Sequence, residues 1–193
     1  MNRETAFEIV EEFVHNQNLV RHMLAVEAGM EDYAARFNEN SQQWGIAGLL
    51  HDFDWEIHPT LDSHPQDGAA LLRERGVPDE IIHCILSHAN HSGVPRDTTM
   101  AKALFACDEI TGLITAVALV RPSKSIHDVK IKSIRKKWKD KRFAANVHRE
   151  DIQQGAVELG VELWEHVERV LHSMQRIAPD LGLDGQSASP QES

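Results

Sequence analysis

Apolar residues recur at intervals of three and four along most of this chain, the spacing that places side chains on one face of an α-helix. Strand-like alternation is scarce, and Pro, Gly, Ser and Asn fall between the periodic segments. The pattern predicts an all-α domain. Helices are expected over 4–15, 19–37, 42–53, 65–75, 78–89, 98–120, 126–139 and 151–177, the last with a break near Gly160.

Composition is typical of a single compact globular domain. The chain has 193 residues, of which 41% are hydrophobic and 26% charged, so wholesale disorder is excluded. We expect the domain over 1–177 and a flexible tail over 178–193, where Gly, Ser, Gln and Pro accumulate. No apolar run approaches the roughly 20 residues of a membrane span, and the N-terminus lacks a signal-peptide pattern, so a cytoplasmic protein is expected.

Cysteine usage and charge narrow the chemistry further. Cys84 and Cys107 each lie in an apolar helical stretch, which predicts small core residues rather than a disulfide or thiolate site. The net charge of −10 conceals an asymmetry, because the segment 121–149 carries eleven Lys or Arg against two acids. An anionic partner is expected to meet the protein at this segment.

Several metal-ligand side chains occupy apolar helix faces. His22 lies in the stripe of the second predicted helix, and the pair His51-Asp52 closes the apolar run of the third. Asp108 lies near the centre of an apolar stripe without a Lys or Arg one turn away, so a buried carboxylate there needs a cation from elsewhere. Two histidines and two aspartates form a nitrogen and oxygen set that suits Mn, Fe, Co, Ni or Zn, with Mg also compatible. Glu109 is turned off the Asp108 face and is a weaker candidate.

This ordered set, His22, His51-Asp52 and Asp108, resembles the signature of the HD superfamily of metal-dependent phosphohydrolases. The resemblance covers roughly residues 18–120, and the segment 103–114 is similar to that of small stand-alone bacterial members. It implies a helical bundle in which those four residues bind one divalent metal ion. A second dipeptide, His127-Asp128, opens a predicted helix after a polar loop and is excluded by that context.

Some HD families bind a second ion through additional histidines between the His-Asp pair and the last aspartate. His64, beside a predicted helix start, and His88, on the inward edge of the fifth helix, are the preferred second-site ligands. His91 is held in reserve, His58 is undecided, and His83 points to solvent.

The resemblance implies hydrolysis of a phosphoester by attack of a metal-bound hydroxide, with Asp52 bridging two ions roughly 3.5–4 Å apart. Asp54 and Glu56 follow the motif and are candidates for proton transfer or ligand orientation, the alternative being a plain acidic loop. A small phosphorylated substrate, nucleotides included, is favoured.

Four basic residues are candidate phosphate-binding groups. Arg96 and Lys102 lie near the ligands in sequence, and Lys130 and Lys132 belong to the basic segment, most of which is expected to be a solvated helix face. Nucleic acid is disfavoured, because the strongly acidic remainder of the chain would repel an extended polyanion. Two alternatives stay open, a di-iron oxygenase on the same fold and a non-catalytic sensory or scaffold module.

Overall fold

The computed structural model describes residues 1–185, which form nine α-helices and no strand, one isolated bridge between Ser125 and Asp184 apart. None of the helices in this range combines the length and the hydropathy that a bilayer crossing requires. The helices are α1 (Arg3–Phe13), α2 (Gln17–Phe37), α3 (Ser41–Leu50), α4 (Gln66–Glu74), α5 (Asp79–His88), α6 (Thr99–Leu119), α7 (Ile131–Trp138), α8 (Arg149–Leu159) and α9 (Leu163–Arg176).

The all-α prediction is confirmed, and the first six predicted helices are present with ends within three residues of those expected. Local capping explains where they begin. The side chains of Asn2, Asn16, Asn40 and Thr98 accept backbone N–H groups at the starts of α1, α2, α3 and α6.

The prediction of one helix over 126–139 is wrong. Ser125 caps only a single 3₁₀ turn at 126–128, and Val129 and Lys130 are extended, so α7 begins at Ile131. The predicted break near Gly160 is present, because this residue adopts a left-handed φ of 73° and ends α8.

The first part of the predicted tail is packed rather than flexible. Ala178, Leu181 and Leu183 are buried, and the Leu183 carbonyl accepts the backbone N–H of Ile126 at 2.7 Å. These apolar side chains extend the core beyond residue 177. The rest of the predicted tail, 186–193, lies outside the described residues.

Helices α2 and α6 form the centre of one continuous core, with α3 against α2 and α8 against α6. Two glycines permit these close approaches. A Cβ at Gly48 would lie 2.9 Å from the Glu27 Cα, and one at Gly155 would lie 2.7 Å from the Ala106 Cα. Cys84 and Cys107 are fully buried and unpaired, and burial raises the pKa of both thiols, so both are core residues as predicted.

Candidate metal centre

Five segments bring metal-ligand side chains to one place. His22 lies in α2, His51 and Asp52 directly follow α3, and His88 is the last residue of α5. His64 lies in the loop before α4, and Asp108 lies in the middle of α6. Because α3 and α5 both end at this point, their terminal side chains meet the inward faces of α2 and α6.

Three of these residues form the first triad, His22, His51 and Asp108. The His22 Nε2 lies 3.2 Å from the His51 Nε2 and 3.0 Å from the Asp108 Oδ1. The His51 Nε2 lies 3.5 Å from the same carboxylate oxygen.

The second triad consists of Asp52, His64 and His88. The Asp52 Oδ1 lies 3.4 Å from the His64 Nε2 and 3.5 Å from the His88 Nε2, and the two imidazole nitrogens are 3.4 Å apart. The other carboxylate oxygen, Oδ2, lies 3.4 Å from the His51 Nε2 and 3.7 Å from the His22 Nε2. Asp52 therefore presents one oxygen to each triad.

Protein oxygens accept the opposite nitrogen of each imidazole. The His51 Nδ1 donates to the Gly48 carbonyl at 2.8 Å, and the His88 Nδ1 donates to the Ile85 carbonyl at 2.5 Å. The His64 Nδ1 donates to the Asp54 Oδ1 at 2.8 Å. These acceptors place the proton on Nδ1, so each neutral ring presents an unprotonated Nε2 to the triads.

The fourth imidazole is fixed by a hydroxyl. The Thr111 Oγ1 donates its proton to the Asp108 carbonyl at 2.8 Å, and therefore accepts from the His22 Nδ1 at 3.1 Å. His22 thus also presents a bare Nε2.

Electrostatics at the triads favour a cation. Burial acts to raise the pKa of Asp52 and Asp108, but neighbouring imidazoles outweigh it and hold both pKa values far below their usual range. Burial acts to lower the pKa of His51, yet Asp52 and Asp108 raise it well above its ordinary value. The field that attracts a proton to this buried ring attracts a metal ion in the same way.

The donor set fits divalent metal ions. Ligand atoms about 2.1 Å from a common ion, at angles of 90–110°, lie roughly 3.0–3.4 Å apart. The separations within both triads, 3.0–3.5 Å, fall in or close to that range. Without a metal ion or a proton between them, pairs of nitrogen lone pairs would face each other at these distances. Imidazole nitrogen with carboxylate oxygen suits Mn, Fe, Co, Ni and Zn.

The triads open into a cavity of about 450 Å³. Its apolar lining includes Trp55, Leu61 and Phe105, and the Trp55 ring packs edge-on against the His64 ring. Glu109, His148 and Asp151 also line it and are named here the acidic rim. None of the described residues that line this cavity is Lys or Arg.

The two acids after the motif occupy different environments. Asp54 is fully buried behind His64, and its Oδ2 has no hydrogen-bond partner among residues 1–185 and lies where a Cβ at Gly68 would intrude. Glu56 does not face the triads, because its carboxylate accepts the backbone N–H groups of His15 and Asn16 before α2. The candidate role of Glu56 in proton transfer is thus not supported by its placement.

The four basic candidates also lie elsewhere. Arg96 forms a two-pronged salt bridge with Glu158, and its guanidinium lies 3.7 Å from the Phe105 ring centroid, behind the cavity wall. Lys102 lines a separate cavity with that ion pair. Lys130 and Lys132 are exposed at the start of α7. Because none of these four residues lines the cavity, their placement does not support their assignment as phosphate-binding groups, which stays a prediction.

The remaining histidines fall outside the two triads. The His91 Nε2 donates to the His64 carbonyl at 2.6 Å, and His58 joins neither triad. The half-buried His83 pairs with Asp97, and Asp128 of the second His-Asp pair accepts the Ser123 hydroxyl. His166 is buried in the core.

Sequence reasoning missed the residues that surround the ligands. Thr111 lies one helical turn after Asp108, a spacing that could have suggested a supporting contact. The sequence indicated Glu109 only as a weaker candidate ligand. His148 reaches the cavity from the loop before α8, and Asp151 reaches it from α8 itself. No local pattern could have revealed that long-range approach.

Comparison with known proteins places the geometry in a family. Residues 19–113 match the HD domain family, and this range contains all six residues of the two triads. The chain carries an HD domain. Membership of the HD superfamily, proposed above from His22, His51-Asp52 and Asp108, is thus confirmed, as is the helical bundle that it implies.

Curated relatives share the HD segment only. The chain is 33% identical over 98 residues to Ribonuclease Y of Nitratidesulfovibrio vulgaris, a match that covers 50% of this chain and 18% of that protein. It is 30% identical over 116 residues to Ribonuclease Y of Fervidobacterium nodosum, covering 60% of this chain and 21% of the relative. The chain thus spans about a fifth of the length of these relatives. No solved structure matches it.

Proposed function

We propose that this HD protein is a metal-dependent phosphohydrolase that cleaves a phosphoester of a small molecule, with nucleotides among the candidates. The observation that carries the proposal is the placement of Asp52 between two triads of imidazole and carboxylate ligands. His22, His51 and Asp108 would hold one divalent ion, and His64 and His88 would hold a second, shared through Asp52.

The residues of the chain have distinct parts in this proposal. Divalent ions held there would supply positive charge to the phosphoryl oxygens and lower the pKa of water at the site. The four imidazoles keep a bare Nε2 through their Nδ1 hydrogen bonds, and Asp52 sets the distance between the triads. Asp54 orients His64 and is a positioning residue. Trp55 and Phe105 exclude water from one side of the reacting phosphate.

Hydrolysis of 4-nitrophenyl phosphate and bis(4-nitrophenyl) phosphate by Mn²⁺- or Co²⁺-loaded protein tests the proposal. Asp52→Ala should lower the rate at least about 100-fold, because it removes the carboxylate shared by both triads. Asp128→Ala, in the second His-Asp pair, is the matched control and should leave the rate unchanged. Asp52→Asn serves if the alanine variant does not fold, and unchanged activity in either would overturn the proposal.

A second candidate is cleavage of RNA, favoured by the relatives named Ribonuclease Y. A phosphodiester bond would use the same ligand set, so a labelled oligoribonucleotide belongs in the substrate panel. The cavity lacks the basic side chains that usually follow a nucleic-acid backbone, which ranks this candidate below the first.

The same purified protein also tests the two alternatives that the sequence left open, a di-iron oxygenase and a non-catalytic sensory or scaffold module. An oxygen-dependent visible spectrum of the iron-loaded protein, without phosphoester cleavage, would indicate an oxygenase. Unchanged stability after metal removal, with no turnover, would indicate a scaffold module. The cytoplasmic location stays a prediction.

A further inference from the structure

We propose that the cavity selects phosphoesters with a single phosphate group and an organic part that is neutral or positively charged. The inference rests on the proposed function and names the substrate class of the same site. It follows from the charges and surfaces that lie beyond the two triads.

The acidic rim faces whatever extends from a phosphate at the triads. The Glu109 Oε1 accepts from the His148 Nδ1 at 2.9 Å, and its Oε2 accepts from the His148 backbone N–H at 3.1 Å. The Asp151 Oδ1 accepts from the Asn90 side-chain amide at 3.3 Å. Ligand-type atoms of Glu109, His148 and Asp151 lie within 4.8 Å of one another, so the two carboxylates act on the same part of the cavity.

The acidic rim holds two carboxylates and one imidazole, so its acidic groups outnumber its only basic group. The first turn of α8, which adjoins the rim, carries Glu150 and Asp151, so acidic side chains already complement its exposed N–H groups.

The two basic residues next to the cavity wall, Arg96 and Lys102, lie outside the cavity. Arg96 is the nearest guanidinium to Phe105, and Glu158 neutralises it on the far side of that ring. Lys102 lies beside the same Glu158 in a separate cavity. None of the described residues that line the cavity is Lys or Arg, so a second phosphate or a carboxylate on the substrate would meet Glu109 and Asp151 without a Lys or Arg in the lining.

The apolar part of the cavity lining favours contact with an uncharged organic group. Trp55 is 38% exposed and Leu61 is 62% exposed, although both are large apolar residues, and Phe105 continues the surface inward. Such a surface gains from contact with a methylene chain or a ring. The cavity thus joins one site for a phosphate to an apolar wall and an anionic rim.

Three phosphonates of similar length, whose P–C bonds resist hydrolysis, make the test independent of turnover. They are 2-aminoethylphosphonate, propylphosphonate and 2-phosphonoethanesulfonate, the last chosen because sulfonate is a weak metal ligand. Calorimetric titration of the Mn²⁺-loaded protein should give at least tenfold weaker binding of the sulfonate than of the other two. Equal or tighter binding of the sulfonate would overturn the inference, as would failure to bind any of the three.

Variants assign the discrimination to the rim. Glu109→Gln combined with Asp151→Asn should bring the sulfonate within threefold of propylphosphonate. Glu8→Gln combined with Glu11→Gln changes the net charge equally on the exposed face of α1 and should preserve the difference. Asp151→Asn alone, which keeps the Glu109–His148 contact, should shift the ratio in the same direction by a smaller factor. A ratio unchanged in both rim variants contradicts the assignment.

Failure of this inference and failure of the proposed function are distinguishable. If the three phosphonates bind in the predicted order but the protein cleaves no phosphoester, the proposed hydrolase activity is overturned and the proposed selectivity is retained. If the protein cleaves a nucleoside triphosphate or an oligoribonucleotide faster than a nucleoside monophosphate, the hydrolase activity is retained and the selectivity is overturned.

Discussion

At the scale of single residues, the atoms behind the ligands define the candidate centre as much as the ligands do. Two backbone carbonyls, one carboxylate and one hydroxyl each accept an Nδ1–H, so that four imidazoles turn the same nitrogen towards the triads. Thr111 is the only side-chain hydroxyl among these four acceptors. It can be changed without altering a backbone segment.

Thr111→Val should weaken metal binding about 10- to 100-fold, because it removes the acceptor that fixes the tautomer and orientation of His22. Calorimetric titration with Mn²⁺ measures the effect. Thr115→Val, one turn further along α6, is the control and should bind as the parent does, because the Thr115 hydroxyl forms no hydrogen bond with any described residue. Equal affinity of the Thr111 variant and the parent would show that His22 does not depend on the hydroxyl.

The sequence anticipated the side chains that bear chemistry and failed on their surroundings. His22 and Asp108 could be found because a polar side chain on an apolar helical stripe is conspicuous, and His51-Asp52 because it ends an apolar run. The candidate role of Glu56 in proton transfer gains no support, because its partners are two backbone N–H groups about 40 residues earlier in the chain. A contact between residues so far apart in the chain produces no periodic pattern in the sequence.

At the scale of elements, one arginine organises the loop between α7 and α8. The Arg149 guanidinium donates to the carbonyls of Trp138, Asp140, Phe143, Ala144 and Val147. It thereby satisfies the C-terminal end of α7 and the turns that follow. The same loop carries His148 to the acidic rim, so Arg149 positions one side of the cavity.

Arg149→Met should lower the free energy of unfolding by about 2–4 kcal/mol, because several part-buried carbonyls lose a charged donor. Urea unfolding gives the magnitude, and limited proteolysis should show new cleavage within 139–148. Arg142→Met, at an exposed neighbour whose side chain forms no hydrogen bond or ion pair with the described residues, should change neither. Intact resistance of the loop in the Arg149 variant would argue against this role.

Helix α9 is joined to α2 and α6 by a buried imidazole. The His166 Nε2 donates to the Ala106 carbonyl at 2.8 Å, and its Nδ1 accepts the Tyr33 hydroxyl at 2.7 Å. Burial lowers the pKa of His166 to about 4 from its ordinary value of 6.5. The folded protein therefore holds this ring neutral at a pH where the unfolded chain protonates it.

Stability should consequently fall as the pH decreases from 6.5 towards 4. In that window the unfolded state binds the additional proton, and the total loss from this one group approaches about 3 kcal/mol near pH 4. Urea unfolding of the parent and of His166→Gln between pH 7 and pH 4 isolates the contribution, since Gln can make both hydrogen bonds without titrating. His172→Gln, exposed on the same helix, should retain the parent slope.

Most helices could be predicted because their cores follow the 3.6-residue period and their caps are local. The segment 126–139 misled because Ser125 and Asp128 imitate a helix start, whereas Asp128 accepts the Ser123 hydroxyl and the chain extends again at Val129. The Ser123–Asp128 hydrogen bond is also local, but the hydropathy pattern gives no indication of it.

At the scale of the whole molecule, the ligands connect segments that are distant in the chain. The two triads draw on residues from 22 to 108 and join α2, α3, α5, α6 and one loop. The single core that surrounds them includes residues from α1 to Leu183. Ion binding is therefore expected to report on the folded state of the entire domain.

Metal removal should lower stability by about 4 kcal/mol relative to protein with free Mn²⁺ at 1,000 times its dissociation constant, because only the folded chain assembles the triads. For a domain of this size the melting temperature should fall by roughly 8–16 °C. Calorimetry before and after chelation, with Mn²⁺ added back, measures the shift. Asp52→Asn should show a much smaller response, and an equal response would contradict the shared role of this carboxylate.

The two oxygens of Asp52 face different triads, and this arrangement has a thermodynamic consequence. An ion at one triad fixes the Asp52 carboxylate, which the other triad also needs, and places positive charge next to that second triad. The metal affinity of each triad therefore depends on whether the other is occupied. By linkage, occupancy of the first triad changes the affinity of the second by the same factor as the reverse. Cooperativity of either sign is thus built into a single side chain.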